Sequence, residues 1–293
     1  MPEAEPAYPI TSFNEFEVAY SHYIEEEQLE DGIKPVISCA SLFRRPKPPI
    51  LSYVPGFIYA GALNLIAGEP KAGKSTLAWY LTNSISLGTR FLGDEVRKTN
   101  VLYVTEQNEV SFRQEAESIP NFTTNENLYM LFPEYAPTVD WRTSIAYWGD
   151  KLLHTRSSVL VIDTFSSFAS LPPGGENDSA CIAERLMALK HLFLGKPNLA
   201  IVLVHHIRKP VEDPKNPRFK DFADLRDARG SSAIVGGVDH CLMLSKHQRN
   251  DNARNIHVEG RFVKEQRFSI VLTDNGYQDL NAREGGGFHG PSG

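Results

Sequence analysis

Residues Gly68-Glu69-Pro70-Lys71-Ala72-Gly73-Lys74-Ser75 constrain this chain more than any other segment. They fit G-x-x-x-x-G-K-[ST], the loop that wraps nucleotide phosphates in backbone N–H groups. The flanks agree with the motif. An apolar run, Ala62-Leu63-Asn64-Leu65-Ile66-Ala67, precedes it with strand character, and Ser75-Thr76-Leu77-Ala78-Trp79-Tyr80-Leu81 follows with helix character. Gly68 and Gly73 let the backbone curl close to the phosphates. The helix beginning near Lys74 adds the positive end of its dipole. The spacing assigns nucleotide binding to Gly68, Glu69, Pro70, Lys71, Ala72, Gly73, Lys74, Ser75 and Thr76. Lys74 is expected on the β- and γ-phosphates of ATP and the Ser75 hydroxyl on Mg2+.

The other bulk properties narrow the class. The chain has 293 residues, 41% hydrophobic and 23% charged, as in ordinary globular proteins. No apolar run approaches the roughly 20 residues that cross a bilayer, and the acidic start Met1-Pro2-Glu3-Ala4-Glu5-Pro6 lacks the apolar core of a signal peptide. Cys39, Cys181 and Cys241 are scattered, odd in number and without zinc spacing, so reduced thiols in a cytoplasmic protein are expected, with no membrane partner. A net charge of −6 excludes a globally basic nucleic-acid binder and leaves only a local patch.

Three divisions are expected. Residues 1–49 hold an N-terminal helix over 12–30, with Phe13, Phe16, Ala19, Tyr20 and Tyr23 on one face, and the start of a Pro-rich linker over 44–56. Residues 50–280 hold an ATPase domain, and 281–293 a glycine-rich disordered tail. Strands are expected at 62–67, 100–105, 127–132, 158–163 and 199–204, alternating with helices at 74–87, 108–118, 141–154 and 179–194. That rhythm predicts an α/β fold with a mostly parallel sheet flanked by helices. The segments 239–245, 255–263 and 267–273 predict a C-terminal antiparallel extension.

Three strand tips carry polar groups where open α/β sheets bind ligands. Val159-Leu160-Val161-Ile162 ends in Asp163, a candidate Mg2+ ligand with Ser75. Val101-Leu102-Tyr103-Val104-Thr105 ends in Glu106, a candidate general base, with Glu109 as the second choice. Leu199 to Val204 ends in His205-His206, either of which can meet the γ-phosphate or simply bond a neighbouring carbonyl.

The order P-loop, strand-Glu, strand-Asp-Thr, strand-His-His, then Ala228-Arg229-Gly230-Ser231-Ser232-Ala233 resembles the RecA-like ATPases of the plasmid RepA helicase kind, relatives of the DnaB replicative helicases. The lead-in Val54-Pro55-Gly56-Phe57-Ile58 and the loop form G-x-P-K-x-G-K-S fit the same group, and the resemblance covers residues 50–275. It implies a RecA-like core, a homo-hexamer with ATP bound between subunits, and a DNA helicase or translocase served by a loader or replication protein. It assigns Glu106 as catalytic glutamate, Asp163 as the Walker B aspartate and His206 as γ-phosphate sensor. One departure stands out. The arginine finger of that family follows the R-G-S-S segment, but Val235-Gly236-Gly237-Val238-Asp239-His240 holds no arginine. Arg261 is then the first candidate for the trans cation, with Arg229 and Lys264 behind it; such a cation is worth roughly 10³–10⁵ in turnover.

The stretch 207–228 mixes Arg208, Lys209, Lys215, Arg218, Lys220 and Arg226 with five acidic residues and three prolines. Repeated around a ring, those cations and the stacking rings Phe219 and Phe222 can hold single-stranded DNA; alone they form a charge-mixed surface loop. Two further readings remain open at this level: a RecA-like repair filament, and a regulatory ATPase switch acting on protein partners.

Overall fold

The computed structural model describes residues 37–47, 50–135, 140–175, 178–207, 222 and 232–280. The segments expected to form the N-terminal helix and the tail, and all six candidate DNA-binding cations, lie outside them. The chain divides into two units, residues 1–51 and 52–293. In the first, helix α1 (Cys39–Arg44) is capped by Ser38, whose Oγ accepts from Ser41 N at 3.2 Å.

The second unit opens with a hairpin, β1 (Ser52–Val54) and β2 (Ile58–Tyr59). Part of the expected linker is therefore sheet. Its prolines mask a turn in which Phe57 N donates to Val54 O and Gly56 takes a φ of 75°. Tyr53, Val54, Phe57 and Ile58 are all buried.

The core elements follow in chain order: β3 (Leu63–Gly68), α2 (Lys74–Leu87), β4 (Asn100–Thr105), α3 (Glu109–Ala116), β5 (Leu128–Leu131), α4 (Trp141–Thr155), β6 (Ser157–Asp163), α5 (Phe165–Phe168), α6 (Ser179–Lys190), β7 (Ala200–His206), α7 (Ser232–Gly237), β8 (His240–Lys246), β9 (Ala253–Gly260), β10 (Gln266–Thr273) and β11 (Gly276–Asp279). One nine-stranded sheet runs β11-β10-β9-β8-β3-β7-β6-β4-β5. From β8 to β5 all neighbours are parallel, and β9, β10 and β11 extend the sheet antiparallel. The α/β class, the mostly parallel centre and the antiparallel extension agree with expectation. Every residue of β3 is buried, as is all of β7 but His206. A strand covered on both faces needs an unbroken apolar run, which is why these segments were readable.

On one face, α4 and α6 pack Trp141, Trp148, Leu152, Ile182, Leu186 and Leu189 against Leu65, Leu102, Leu160, Ile162 and Leu203. Trp141 meets Trp148 and Phe165 edge-on, with ring centroids 5.5 and 5.7 Å apart, the arrangement their quadrupoles favour. Helix α2 covers β3, β4, β5 and β7 from the other side. It starts and stops on glycines: Gly73 (φ 88°) and Gly88 (φ 73°) are both left-handed, a conformation that costs glycine little.

Several short elements escaped the sequence reading, β11 and α7 among them. Strand β11 follows a two-residue turn, Asp274-Asn275, closed by the Thr273–Gly276 pair. Helix α7 carries the small residues Gly236 and Gly237. A Cβ at Gly237 would stand 2.4 Å from Leu186 Cδ1, so glycine lets α7 sit on α6.

Candidate nucleotide site

The parallel register brings the carboxyl ends of β3, β7, β6 and β4 side by side. Gly68 pairs with His206, Asp163 with Val204, and Thr105 with Asp163. The four sequence segments singled out above thus converge on one sheet edge, where open α/β sheets form their ligand crevice.

The loop between β3 and α2 is shaped by both of its motif glycines, for different reasons. Gly73 takes the left-handed turn into the helix and offers no side-chain cap, which leaves the first N–H groups of α2 for another acceptor. Gly68 has no positive φ. A Cβ there would lie 2.5 Å from Leu244 O on β8, so this glycine answers to close strand approach as much as to curling around a ligand.

Lys74 is buried, and its Nζ donates to Glu69 O at 2.9 Å and to His206 Nδ1 at 2.8 Å. Because the ammonium has only donors, His206 Nδ1 must accept, which puts the proton of the neutral ring on Nε2. Burial lowers the Lys74 pKa to about 8, while the charges of Asp163, Glu106 and Glu69 push it upward. The two histidines separate by strand alternation. His206 is exposed at the crevice, whereas His205 is buried beside Phe165, with ring centroids 6.1 Å apart. Burial lowers the His205 pKa to about 4, assisted by the charges of His206 and Lys74, so that ring is neutral.

Asp163 is buried and accepts from Tyr103 Oη at 2.6 Å and from the Ser75 hydroxyl. Burial raises its pKa against the lowering effects of those bonds and of Lys74. Tyr103 is held neutral, its own pKa raised well above normal by burial. A hydroxyl and a carboxylate side by side are hard oxygen donors. Mg2+ keeps several waters and takes the rest of its shell from substrate phosphates, so two protein oxygens fit it. Among the described residues there is no cluster of three or more His, Cys, Asp or Glu side chains able to hold a metal ion unaided.

Glu106 sits beside this pair, its backbone N donating to Asp163 O at 2.7 Å. Its Oε2 accepts from Thr164 Oγ1 at 3.1 Å and from Ser167 Oγ on α5. Glu109 instead starts α3 and pairs with Arg113 at 3.5 Å. Glu106, not Glu109, is the carboxylate adjoining Asp163.

The trans candidates fall elsewhere. The Arg261 side chain is 73% exposed and pairs with Asp239 at 3.2 Å. Asp239 also accepts from Leu63 N at 3.0 Å, at the start of β3. Arg261 therefore lies at the sheet edge opposite its own P-loop. Lys264 is exposed in the turn between β9 and β10, and Arg229 lies outside the described residues. A different arginine touches the loop: Arg254 on β9, whose Nε donates to Ala72 O at 2.6 Å. Sequence reasoning missed it, along with Tyr103, Thr164 and Ser167. Only Thr164, next to Asp163, carried a local signal.

A family model for the AAA domain matches residues 33–212, more than half of the chain. No curated protein matches it significantly. Among solved structures, a KaiC-like protein of the hyperthermophilic archaeon Pyrococcus horikoshii is similar in fold at 14% identity and a TM-score of 0.54, over 79% of this chain and 100% of that one. With a G-x-x-x-x-G-K-S loop after β3 and polar tips on β4, β6 and β7, the chain belongs to the AAA domain family and shares its fold with that KaiC-like protein.

Proposed function

We propose that the chain is an ATP-driven DNA translocase or helicase that works as a ring of six copies on single-stranded DNA. Lys74 and the backbone N–H groups of residues 71–76 hold the triphosphate. Ser75 and Asp163 would hold Mg2+, which would neutralise phosphate charge. Glu106 takes the proton of the attacking water, oriented by Thr164 and Ser167. Arg261 leaves Asp239 to complete a neighbour's site, as expected of a cation exposed at the far sheet edge.

The observation that carries the reading is the Lys74–His206 bond of 2.8 Å. On this reading Lys74 meets the γ-phosphate, and His206 ends the strand that leads into the cation-bearing stretch 207–228. A phosphate that draws Lys74 away alters the partner of His206, and the segment beyond it gains a signal tied to ATP. Several copies of that segment around one pore give a cationic track despite the chain's charge of −6. A loader or replication protein would place the ring on DNA.

ATP turnover measured with and without single-stranded DNA, alongside the mass of the assembly, tests this. The expected result is a hexamer in Mg-ATP and turnover raised several-fold by DNA, with the stimulation falling steeply as salt increases. A chain that stays monomeric in Mg-ATP and ignores DNA would sink the reading.

Among the described residues no helix is long and apolar enough to cross a membrane.

A further inference from the structure

Strand β9 lies two strands away from β3, and its Arg254 reaches back to the phosphate-binding loop. Its Nη1 donates to Asp251 O at 2.6 Å and Ala253 O at 2.7 Å, which fixes the guanidinium on the turn between β8 and β9. Its Nε donates to Ala72 O at 2.6 Å. The guanidinium is planar, so two bonds from Nη1 set the direction of the third. A Cβ at Gly73 would stand 3.1 Å from the same Nε, so the loop passes directly against the arginine.

The geometry points to Arg254 as a positioning residue for ATP: by holding the Ala72 carbonyl, it aims the Gly73 N–H into the phosphate loop. The reason is the peptide plane. Across a trans peptide the C=O of one residue and the N–H of the next point in opposite directions. Anchoring Ala72 O outward on β9 presents Gly73 N–H on the other side, at the N-cap of α2 where an anion is favoured. Gly73 sits at φ 88°, a conformation that glycine leaves as readily as it enters. An external brace is what keeps that peptide in one orientation before the ligand arrives. Arg254 acts here from the same chain as the loop, a role distinct from that of a trans cation.

The inference rests on the nucleotide-binding reading of the loop. Its rival is a plain staple between the β8–β9 turn and the loop, which would stabilise the fold without bearing on ATP. Full-length Arg254→Ala, Arg254→Gln and Arg254→Lys separate the two through KM and kcat for ATP and through melting temperature. Removing one charge-assisted bond should raise the ATP KM of Arg254→Ala by roughly tenfold. Its kcat should change by less than about threefold, because Glu106 and Asp163 are untouched. Arg254→Gln, whose amide can still donate to Ala72 O, should recover most of the loss, whereas Arg254→Lys, with no planar fork, should not. Amide exchange at Gly73 and Lys74, measured without nucleotide, should speed up in Arg254→Ala. If Arg254→Ala does not fold, the contrast between Arg254→Gln and Arg254→Lys carries the same decision. An unchanged KM, or a lower melting temperature with wild-type KM in all folded variants, overturns the proposal alone. A wild-type chain that binds no ATP removes the nucleotide reading and this one with it.

Discussion

Glu106→Gln is expected to lower ATP turnover by roughly 10²–10⁴-fold, the usual worth of a general base, while ATP affinity stays close to wild type. The substitution keeps the shape of the side chain. Its Oε1 can still accept from Thr164 and Ser167, the hydroxyls that hold the Glu106 carboxylate. The amide cannot take a proton from water. Glu106 also adds a negative charge near Lys74 and Asp163, so its neutralisation relieves repulsion at Asp163 and leaves ground-state binding intact. Steady-state phosphate release and equilibrium titration with Mg-ATP check both halves. Turnover within about threefold of wild type would move the base to another group.

Lys74→Ala has the second large effect, and it falls on binding. A buried ammonium donating to phosphate oxygens is worth about 1.5–3 kcal/mol per bond, so losing it should weaken ATP by roughly 10²-fold or more. Folding should survive, because the variant removes a charge that burial disfavours. The same residue gives a pH signature. Its pKa of about 8 lies below the ordinary lysine value, so above pH 8 the free protein increasingly holds a neutral amine. ATP binding must then take up a proton, and affinity should fall by up to about tenfold per pH unit as pH rises past 8. Lys74→Ala should abolish that slope. Titrations from pH 7 to 9.5 measure it, and a flat wild-type profile would contradict the assignment.

The sequence exposed those parts of the site that are local. The loop from Gly68 to Ser75, and strands closing on Glu106 and Asp163, are contiguous patterns, and a parallel sheet aligns such tips without further help. The choice between His205 and His206 needed the strand's extent: β7 runs through both histidines to residue 206, two residues beyond the expected end, and alternation buries one and presents the other. Gly68 was legible as a motif member, but the Leu244 carbonyl behind it was not. Arg254 was invisible because 182 residues separate it from Ala72, and nothing local distinguishes it from Arg261 seven positions later on the same strand's exit. The hairpin β1–β2 was hidden by a proline-rich stretch of which only Pro55 lies in its turn.

In the proposed mechanism, ATP hydrolysis at Lys74, Asp163 and Glu106 drives movement along single-stranded DNA. Release of a labelled strand from a forked duplex tests it most directly. Release is expected with Mg-ATP, none with a non-hydrolysable analogue, and none with Glu106→Gln. Brisk ATP turnover with the labelled strand fully retained, on forks offering either single-stranded arm, would contradict it and favour an ATPase switch acting on protein partners.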